Sequence, residues 1–168
     1  PRTSSAASDV YKRQDYKIAA AGYSSSSSNM GSINFSITCT APPTTCHTTT
    51  AVTMPYAGTG LTSCGNGDNV TSANSGVTAY PTYYYLGAED ATFEVAATSS
   101  TTLVELSNSA STYTGLFVFD ACPSLPGATL VASSTSSASA ESLSFTSGVG
   151  NTYFFVTDIW PPPNCNSS

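Results

Sequence analysis

Residues 148–157 read Gly-Val-Gly-Asn-Thr-Tyr-Phe-Phe-Val-Thr, a glycine-rich turn followed by an apolar run. The residues from Tyr153 to Val156 do not alternate with polar ones, which predicts a strand buried on both faces. Short apolar runs recur along the chain, and clusters of serine, threonine, glycine and proline separate them. This rhythm favours strands over helices.

Eight such runs follow Cys46, and turn-forming residues separate nearly all of them. The candidate strands are Ala51–Met54, Thr82–Leu86, Ala91–Ala97, Thr102–Leu106, Gly115–Asp120, Thr129–Ser133, Glu141–Phe145 and Thr152–Thr157. Strands of this length and spacing, without a helical period, predict an all-β fold: an antiparallel β-sandwich of about eight strands with essentially no helix.

The first fourteen residues differ in composition from the rest of the chain. They hold three of the four basic residues, Arg2, Lys12 and Arg13. Residues 4–14, SSAASDVYKRQ, resemble the translation of a transposase adapter used in sequencing libraries. We therefore expect residues 1–14 to be non-native and to pack against nothing.

A separate strand pattern lies between these first fourteen residues and the eight candidate strands that follow Cys46. Ile33, Phe35 and Ile37 alternate with polar residues, which predicts a half-buried strand over residues 33–38. A break at Pro42-Pro43 follows.

Charge is scarce, and after the leader it is almost entirely negative. Charged residues make up 8% of the chain, and from Asp15 onward nine acidic residues accompany one lysine, Lys17. Nucleic acid is excluded as a partner, because phosphate binding needs a basic surface. No segment approaches the ~20 apolar residues that span a bilayer, so membrane insertion is not expected. The low charge and polar, uncharged surface are typical of an extracellular or cell-surface protein.

Four segments together resemble the repeat modules of secreted Bacteroidetes-type surface proteins. They are CHTTTAVTMPYAGTGLTSCG at 46–65, EDATF at 89–93, YTGLFVFDACP at 113–123 and NTYFFVTDIWP at 151–161. These modules are similar to bacterial pre-peptidase C-terminal (PPC-like) domains, jelly-roll-like β-sandwiches appended to extracellular enzymes and adhesins. The resemblance covers residues 44–165 and implies a jelly-roll-like sandwich over residues 44–168.

In the modules that the chain resembles, one more strand follows the segment around Cys165, so the resemblance implies that this sandwich lacks its last strand. The strand at 33–38 looks like that strand of a preceding copy, with residues 15–43 forming the end of that module and a linker. The implied function is a non-catalytic accessory module for adhesion, spacing or stabilisation, with neighbouring modules or copies of itself as partners. An alternative is a filament subunit assembled by strand complementation.

Five cysteines in a chain of this composition predict disulfides, and leaving one out permits fifteen arrangements of two bridges. The order of the cysteines alone does not decide between them. The layout of the family-like motifs implies that Cys46 pairs with Cys64 and Cys122 with Cys165, while Cys39 stays unpaired.

Catalytic and zinc chemistry have little support in the sequence. His47 is the sole histidine, and no Gly-x-Ser-x-Gly segment occurs. No two cysteines are spaced two to four residues apart, as structural zinc sites require. We therefore expect no enzymatic activity and no zinc.

Calcium is the one cofactor that the sequence allows. Glu89, Asp90, Asp120 and Asp158 carry hard oxygen ligands, and some relatives of the domains that the chain resembles bind calcium. No Asp-x-Asp-x-Asp loop is present, so the alternative is that these carboxylates cap turns or remain solvated.

Aromatic residues supply the remaining candidates for ligand binding. Trp160 and the run Tyr83-Tyr84-Tyr85 could stack on sugar rings or peptide groups, which would make the chain a carbohydrate-binding or protein-binding module. In a strand, Tyr83 and Tyr85 would share one face and Tyr84 the other, so at least one should be exposed. The alternative is ordinary packing in the core and on the sheet faces.

Overall fold

Seven strands and two short helical turns form the described part of the fold. The computed structural model describes residues 44–107, 112–162 and 164–166. Within them the strands are β1 (Thr50–Val52), β2 (Ala91–Ala96), β3 (Thr101–Leu106), β4 (Thr114–Phe119), β5 (Leu130–Thr135), β6 (Glu141–Thr146) and β7 (Thr152–Ile159). An α-helical turn, α1 (Ser72–Ser75), and a 3-10 turn (Thr82–Tyr85) lie between β1 and β2. The leader at 1–14, the candidate strand at 33–38 and Cys39 lie outside the described residues.

The strands form two sheets. The larger sheet has the order β1-β2-β7-β4-β5, and the smaller sheet pairs β3 with β6. Every pair is antiparallel except β1 with β2, which is parallel. The predicted all-β sandwich is confirmed. None of the helices in the described part of the chain has the length and apolarity needed to cross a bilayer.

Seven of the eight candidate strands overlap observed strands, and the prediction for Thr82–Leu86 is wrong. These residues enter a 3-10 turn, after which Leu86 is buried. The high strand propensity of three tyrosines is overridden because this segment covers the larger sheet instead of joining its edge. Tyr85 packs against the buried cluster that contains Phe117 and Val156.

The larger sheet is covered on both faces. On its inner face, Val95, Val118 and Phe155 pack with Phe145 of the smaller sheet. On its outer face, a cluster of buried residues joins the sheet to the segment before β2; its members are Val70, Val77, Leu86, Phe117, Phe119 and Val156. Burial on both sides explains why β4 and β7 read as continuous apolar runs instead of alternating ones.

Gly115 creates the space that the covering segment needs. It lies in β4, where every residue is buried. A Cβ atom at this position would lie 2.7 Å from Phe117 Cε2 and 3.0 Å from Tyr85 Cβ. A larger residue would therefore push the 3-10 turn away from the sheet.

Two disulfides form from the four cysteines that were predicted to be bonded, but the predicted pairing is wrong. Cys46 bonds to Cys122, with their Cα atoms 5.8 Å apart, and Cys64 bonds to Cys165, with a Cα separation of 4.8 Å. The motif layout implied a bridge between Cys46 and Cys64, which neighbour each other along the chain, and another between Cys122 and Cys165. Each bridge instead ties a segment that precedes β2 to one that follows β4 or β7. Two disulfides indicate an oxidising, non-cytoplasmic compartment.

Candidate functional site

An open apolar cavity lies along one side of the sandwich. We call it the edge groove; its volume is about 370 Å³. It is bounded by β1 and β2 on one side and by β3 on the other. Its lining residues are Val52, Met54, Tyr56, Ala57, Gly58, Leu61, Phe93, Val95, Leu103, Val104, Glu105, Ser107, Leu116, Phe155 and Thr157.

The edge groove exists because the two sheets differ in width. Five strands face two, and among the described residues β3 pairs with β6 alone. The inner face of the larger sheet is therefore incompletely covered near Phe93, which is only half-buried. Leu103 on β3 is 57% exposed at the rim. The groove thus combines apolar surface with an edge of β3 that no described strand pairs with.

Two buried aspartates face each other on the outer side of the larger sheet. Ala91 of β2 pairs with Thr157 of β7, so the antiparallel register places Asp90 opposite Asp158 at the next position. Both side chains are buried, and Asp158 is 0% exposed. We call Asp90 and Asp158 the carboxylate pair.

The two members of the pair differ in their hydrogen bonds. Asp90 Oδ2 accepts from the backbone N–H groups of Asn69 (2.6 Å) and Val70 (2.8 Å). Asp158 Oδ1 accepts from the N–H of Ile159 at 2.6 Å, whereas its buried Oδ2 has no hydrogen-bond partner among the described residues. An unsatisfied buried carboxylate oxygen is costly, and the cost is largest when the group is charged.

Burial dominates the electrostatics of the carboxylate pair. Desolvation raises the pKa of Asp158 to about 8. The backbone N–H groups of Ile159 and Ala88 oppose this rise, and the negative charges of Asp90 and Asp68 add to it. Desolvation also raises the pKa of Asp90, against the opposing hydrogen bonds from Val70 and Asn69. The pKa of Asp68 is raised by partial burial and by the charge of Asp90. The charge of Asp90 therefore raises the pKa of both Asp68 and Asp158.

The other two residues of the predicted calcium set lie elsewhere. Glu89 accepts a hydrogen bond from the backbone N–H of Gly65 at 2.7 Å. Asp120 accepts from the N–H of Thr129 at 2.7 Å, in the turn between β4 and β5. Each of these carboxylates caps a turn. Of the predicted set, only Asp90 and Asp158 lie at adjoining ends of neighbouring strands.

His47 joins the segment before β1 to the outer face of the larger sheet. Its Nδ1 lies 2.8 Å from Ser124 Oγ, and its Nε2 lies 2.8 Å from Thr92 Oγ1. Thr92 Oγ1 in turn lies 3.5 Å from Asp90 Oδ1. Desolvation lowers the pKa of His47, although the charge of Asp90 opposes this shift. A neutral imidazole between two hydroxyls stabilises the Cys46–Cys122 corner.

Two groups of potential metal ligands occur within the described residues, each with its ligand atoms inside 4.8 Å. One contains His47 with Cys46 and Cys122, and the other contains Glu89 with Cys64 and Cys165. In both groups the two cysteines are bonded to each other. Neither group therefore offers the thiolates that bind zinc.

Trp160 forms an exposed aromatic pair with Tyr113. Their ring centroids lie 5.2 Å apart in an edge-to-face arrangement. The backbone N–H of Trp160 donates a hydrogen bond to the backbone carbonyl of Tyr113. The two side chains are 39% and 40% exposed. Tyr113 has φ of 62°, a left-handed conformation that is costly for a residue with a bulky side chain. The backbone is thus held in a strained state that presents this ring.

The three tyrosines at 83–85 do not all lie on the surface. Tyr83 and Tyr84 stack with ring centroids 4.3 Å apart, and the exposed Tyr80 packs edge-on against Tyr84. Tyr85 instead covers Gly115 on the outer face of the sheet. The predicted alternation of faces is wrong because the segment is a 3-10 turn.

Sequence reasoning missed Asp68, Tyr113 and the edge groove. Asp68 lies in the turn Gly65-Asn-Gly-Asp68-Asn, and it comes close to the carboxylate pair only because Asp90 binds the amides that follow it. Tyr113 directly precedes a buried strand, which was the only signal for it. The groove depends on which strands share a sheet, and no local pattern reports this.

Comparison of the chain with protein-family models, with curated proteins and with solved structures finds no significant match. The resemblance to PPC-like modules therefore remains a prediction that rests on the quoted motifs.

Proposed function

We propose that this chain is a non-catalytic, extracellular accessory module that joins neighbouring β-modules by accepting a strand in its edge groove. The observation that carries this proposal is the groove itself, in which apolar surface lies beside an edge of β3 that has no partner strand within residues 44–107, 112–162 and 164–166. An exposed strand edge presents N–H and C=O groups that pair readily with another strand. An added strand would widen the smaller sheet to three strands.

The segment at 33–38 has the pattern of such a strand. It is six residues long, as is β3, and its apolar residues Ile33, Phe35 and Ile37 alternate with polar ones. Placed beside β3, its apolar face would cover Phe93 and Val52, and its polar face would meet water. We propose that a neighbouring module or a second copy supplies this strand.

An extracellular, structural role agrees with the rest of the molecule. Two disulfides suit a secreted module, and the described residues include no lysine or arginine. His47, the only histidine in the chain, has both ring nitrogens within hydrogen-bond distance of hydroxyls and holds a corner of the fold. This arrangement favours stabilisation over catalysis.

The donor strand can be tested with two variants of equal charge. Phe35→Asp places a carboxylate on the apolar face of the donor segment, whereas Ser36→Asp places it on the polar face. Burying an unpaired charge is strongly unfavourable. We expect sedimentation velocity to show concentration-dependent oligomers for the wild type and Ser36→Asp, but monomers for Phe35→Asp.

The acceptor side is tested separately by Leu103→Arg at the rim of the edge groove. The control is Val149→Arg in the turn before β7, where the side chain is 68% exposed. Only Leu103→Arg should abolish association. If the wild type is a monomer at all concentrations, no strand from another molecule fills the groove. The proposal that this chain joins neighbouring modules would then be wrong.

A second candidate function is carbohydrate binding at the exposed aromatic residues. The observation that favours it is the strained backbone of Tyr113, which holds its ring against Trp160 on the surface. Exposed, fixed aromatic rings stack on the apolar faces of sugars.

A glycan array with the wild type and Trp160→Ala tests this second candidate. We expect any bound glycan to be lost in Trp160→Ala and retained in Tyr56→Ala, which removes an exposed aromatic residue from the edge groove instead. An array without binding, or binding that survives Trp160→Ala, would exclude this role for the aromatic pair.

A further inference from the structure

Cys46, His47 and Cys122 converge where the segment before β1 meets the turn after β4. Their potential ligand atoms, the two Sγ atoms and a ring nitrogen, all lie within 4.8 Å of one another. His47 Nδ1 is 3.9 Å from each sulfur. In the oxidised protein the two sulfurs are bonded to each other. We call these three residues the Cys-His cluster.

The histidine of this cluster is held as a metal-binding histidine is held. His47 Nε2 lies 2.8 Å from Thr92 Oγ1, which in turn lies 3.5 Å from Asp90 Oδ1. A histidine that binds metal through one ring nitrogen usually donates the N–H of the other to an oxygen, and this fixes its tautomer. When Nε2 donates to Thr92, Nδ1 carries the lone pair. Desolvation lowers the pKa of His47, which favours the neutral ring that metal binding requires.

We propose that reduction of the Cys46–Cys122 bond turns the Cys-His cluster into a binding site for a divalent cation of the Zn²⁺ type. The three protein ligands would be the thiolates of Cys46 and Cys122 and the Nδ1 of His47, with water in the fourth position. Sulfur and imidazole nitrogen are the ligands that Zn²⁺ prefers. Ser124 Oγ, which lies 2.8 Å from His47 Nδ1 and 3.3 Å from Cys122 Sγ, would leave Nδ1 and donate to the Cys122 thiolate.

A dithiol is the reductant in this step. Its first thiolate attacks Cys46 Sγ, since Cys46 is half-buried whereas Cys122 is buried. The bond between the two protein sulfurs breaks, and Cys122 leaves as a thiolate beside the hydroxyl of Ser124. The second thiolate of the reductant then displaces Cys46, so two electrons pass to the protein and the dithiol becomes a disulfide. The two protons of the dithiol are released to solvent when the cation binds both protein thiolates.

The second disulfide provides a control within the same chain. Cys64, Glu89 and Cys165 also lie within 4.8 Å of one another through their potential ligand atoms. This group contains no imidazole, and the carboxylate of Glu89 already accepts a hydrogen bond from the backbone N–H of Gly65 at 2.7 Å. We therefore expect reduction of this bridge to create a much weaker site.

Co²⁺, a spectroscopic substitute for Zn²⁺, tests the proposal in the full chain. All proteins carry Cys39→Ser, so that no fifth thiol contributes. The protein is reduced with dithiothreitol, which is then removed in the absence of oxygen. One Co²⁺ per chain should bind and give a thiolate-to-cobalt charge-transfer band in the near ultraviolet. Added Zn²⁺ should abolish this band by displacement, and the oxidised protein should show no band.

Three variants assign the ligands. Cys64→Ser/Cys165→Ser should keep the band, whereas Cys46→Ser/Cys122→Ser should lose it. His47→Gln keeps a polar side chain but lacks Nδ1, and it should bind Co²⁺ at least about tenfold more weakly, since loss even of a partner that orients a ligand costs that much.

Four results would each overturn the proposal. The reduced protein gives no thiolate band, or the band survives in Cys46→Ser/Cys122→Ser. His47→Gln binds Co²⁺ as tightly as the protein that retains His47. Reduction abolishes the β-sheet signal in circular dichroism, and Zn²⁺ does not restore it.

Discussion

Replacing Cys64 and Cys165 together with serine is expected to lower the free energy of unfolding by about 4–5 kcal/mol. The bond links residues 101 positions apart, so its loss frees a long loop in the unfolded chain. Urea unfolding of the double variant and the wild type measures the difference. The Cys46→Ser/Cys122→Ser variant, with a separation of 76 residues, should lose nearly as much.

A cross-paired variant tests the connectivity itself. Cys46→Ser/Cys64→Ser removes one cysteine from each observed bridge, so both bonds are lost and the effect should approach the sum of the two paired variants. If Cys46 were bonded to Cys64, as the motif layout implied, this variant would lose only one bond. A cost no greater than that of either paired variant would therefore contradict the observed pairing.

Phe117→Ala is expected to cost about 3–5 kcal/mol, the usual range for truncating a buried phenylalanine. Phe117 is 0% exposed and lies at the centre of the outer-face cluster, where it contacts the segment that carries the 3-10 turn. Loss of its ring would leave a cavity between that segment and the sheet. Chemical denaturation with fluorescence detection measures the change.

Leu103→Ala is the matched control for this prediction, because Leu103 also lies on a strand but is largely exposed. Its truncation should change the free energy of unfolding by about 0.5 kcal/mol or less. Equal effects of the two substitutions would mean that the outer face of the larger sheet is not a packed core.

The strand content could be predicted from sequence because it depends on local patterns. Runs such as Thr114–Phe119 and Thr152–Ile159 are apolar, short and bounded by turn residues, and they form the two central strands of the larger sheet. The tyrosines at 83–85 have the same local strand propensity, yet they form a turn because Tyr85 and Leu86 pack on the outer face of that sheet. Packing decides between structures whose local preferences are similar.

The candidate sites were also predictable only in part from the sequence. Asp90 and Asp158 were recognisable as hard ligands from their side chains, but only the register of β2 with β7 places them opposite each other. Glu89 is adjacent to Asp90 in the chain, but its carboxylate accepts a hydrogen bond from the backbone N–H of Gly65 instead. Residues next to each other on an extended chain point to opposite faces, so adjacency in sequence did not imply a shared site.

By itself, the sequence determined the all-β class, most strand positions, the four bonded cysteines and the absence of basic residues after Lys17. These properties depend on side-chain type and on short-range periodicity. The tertiary structure alone decided the disulfide connectivity, the opposed aspartates and the edge groove beside β3. Each of these depends on which distant strands become neighbours, and that is set by packing of the whole core, which no local stretch of sequence encodes.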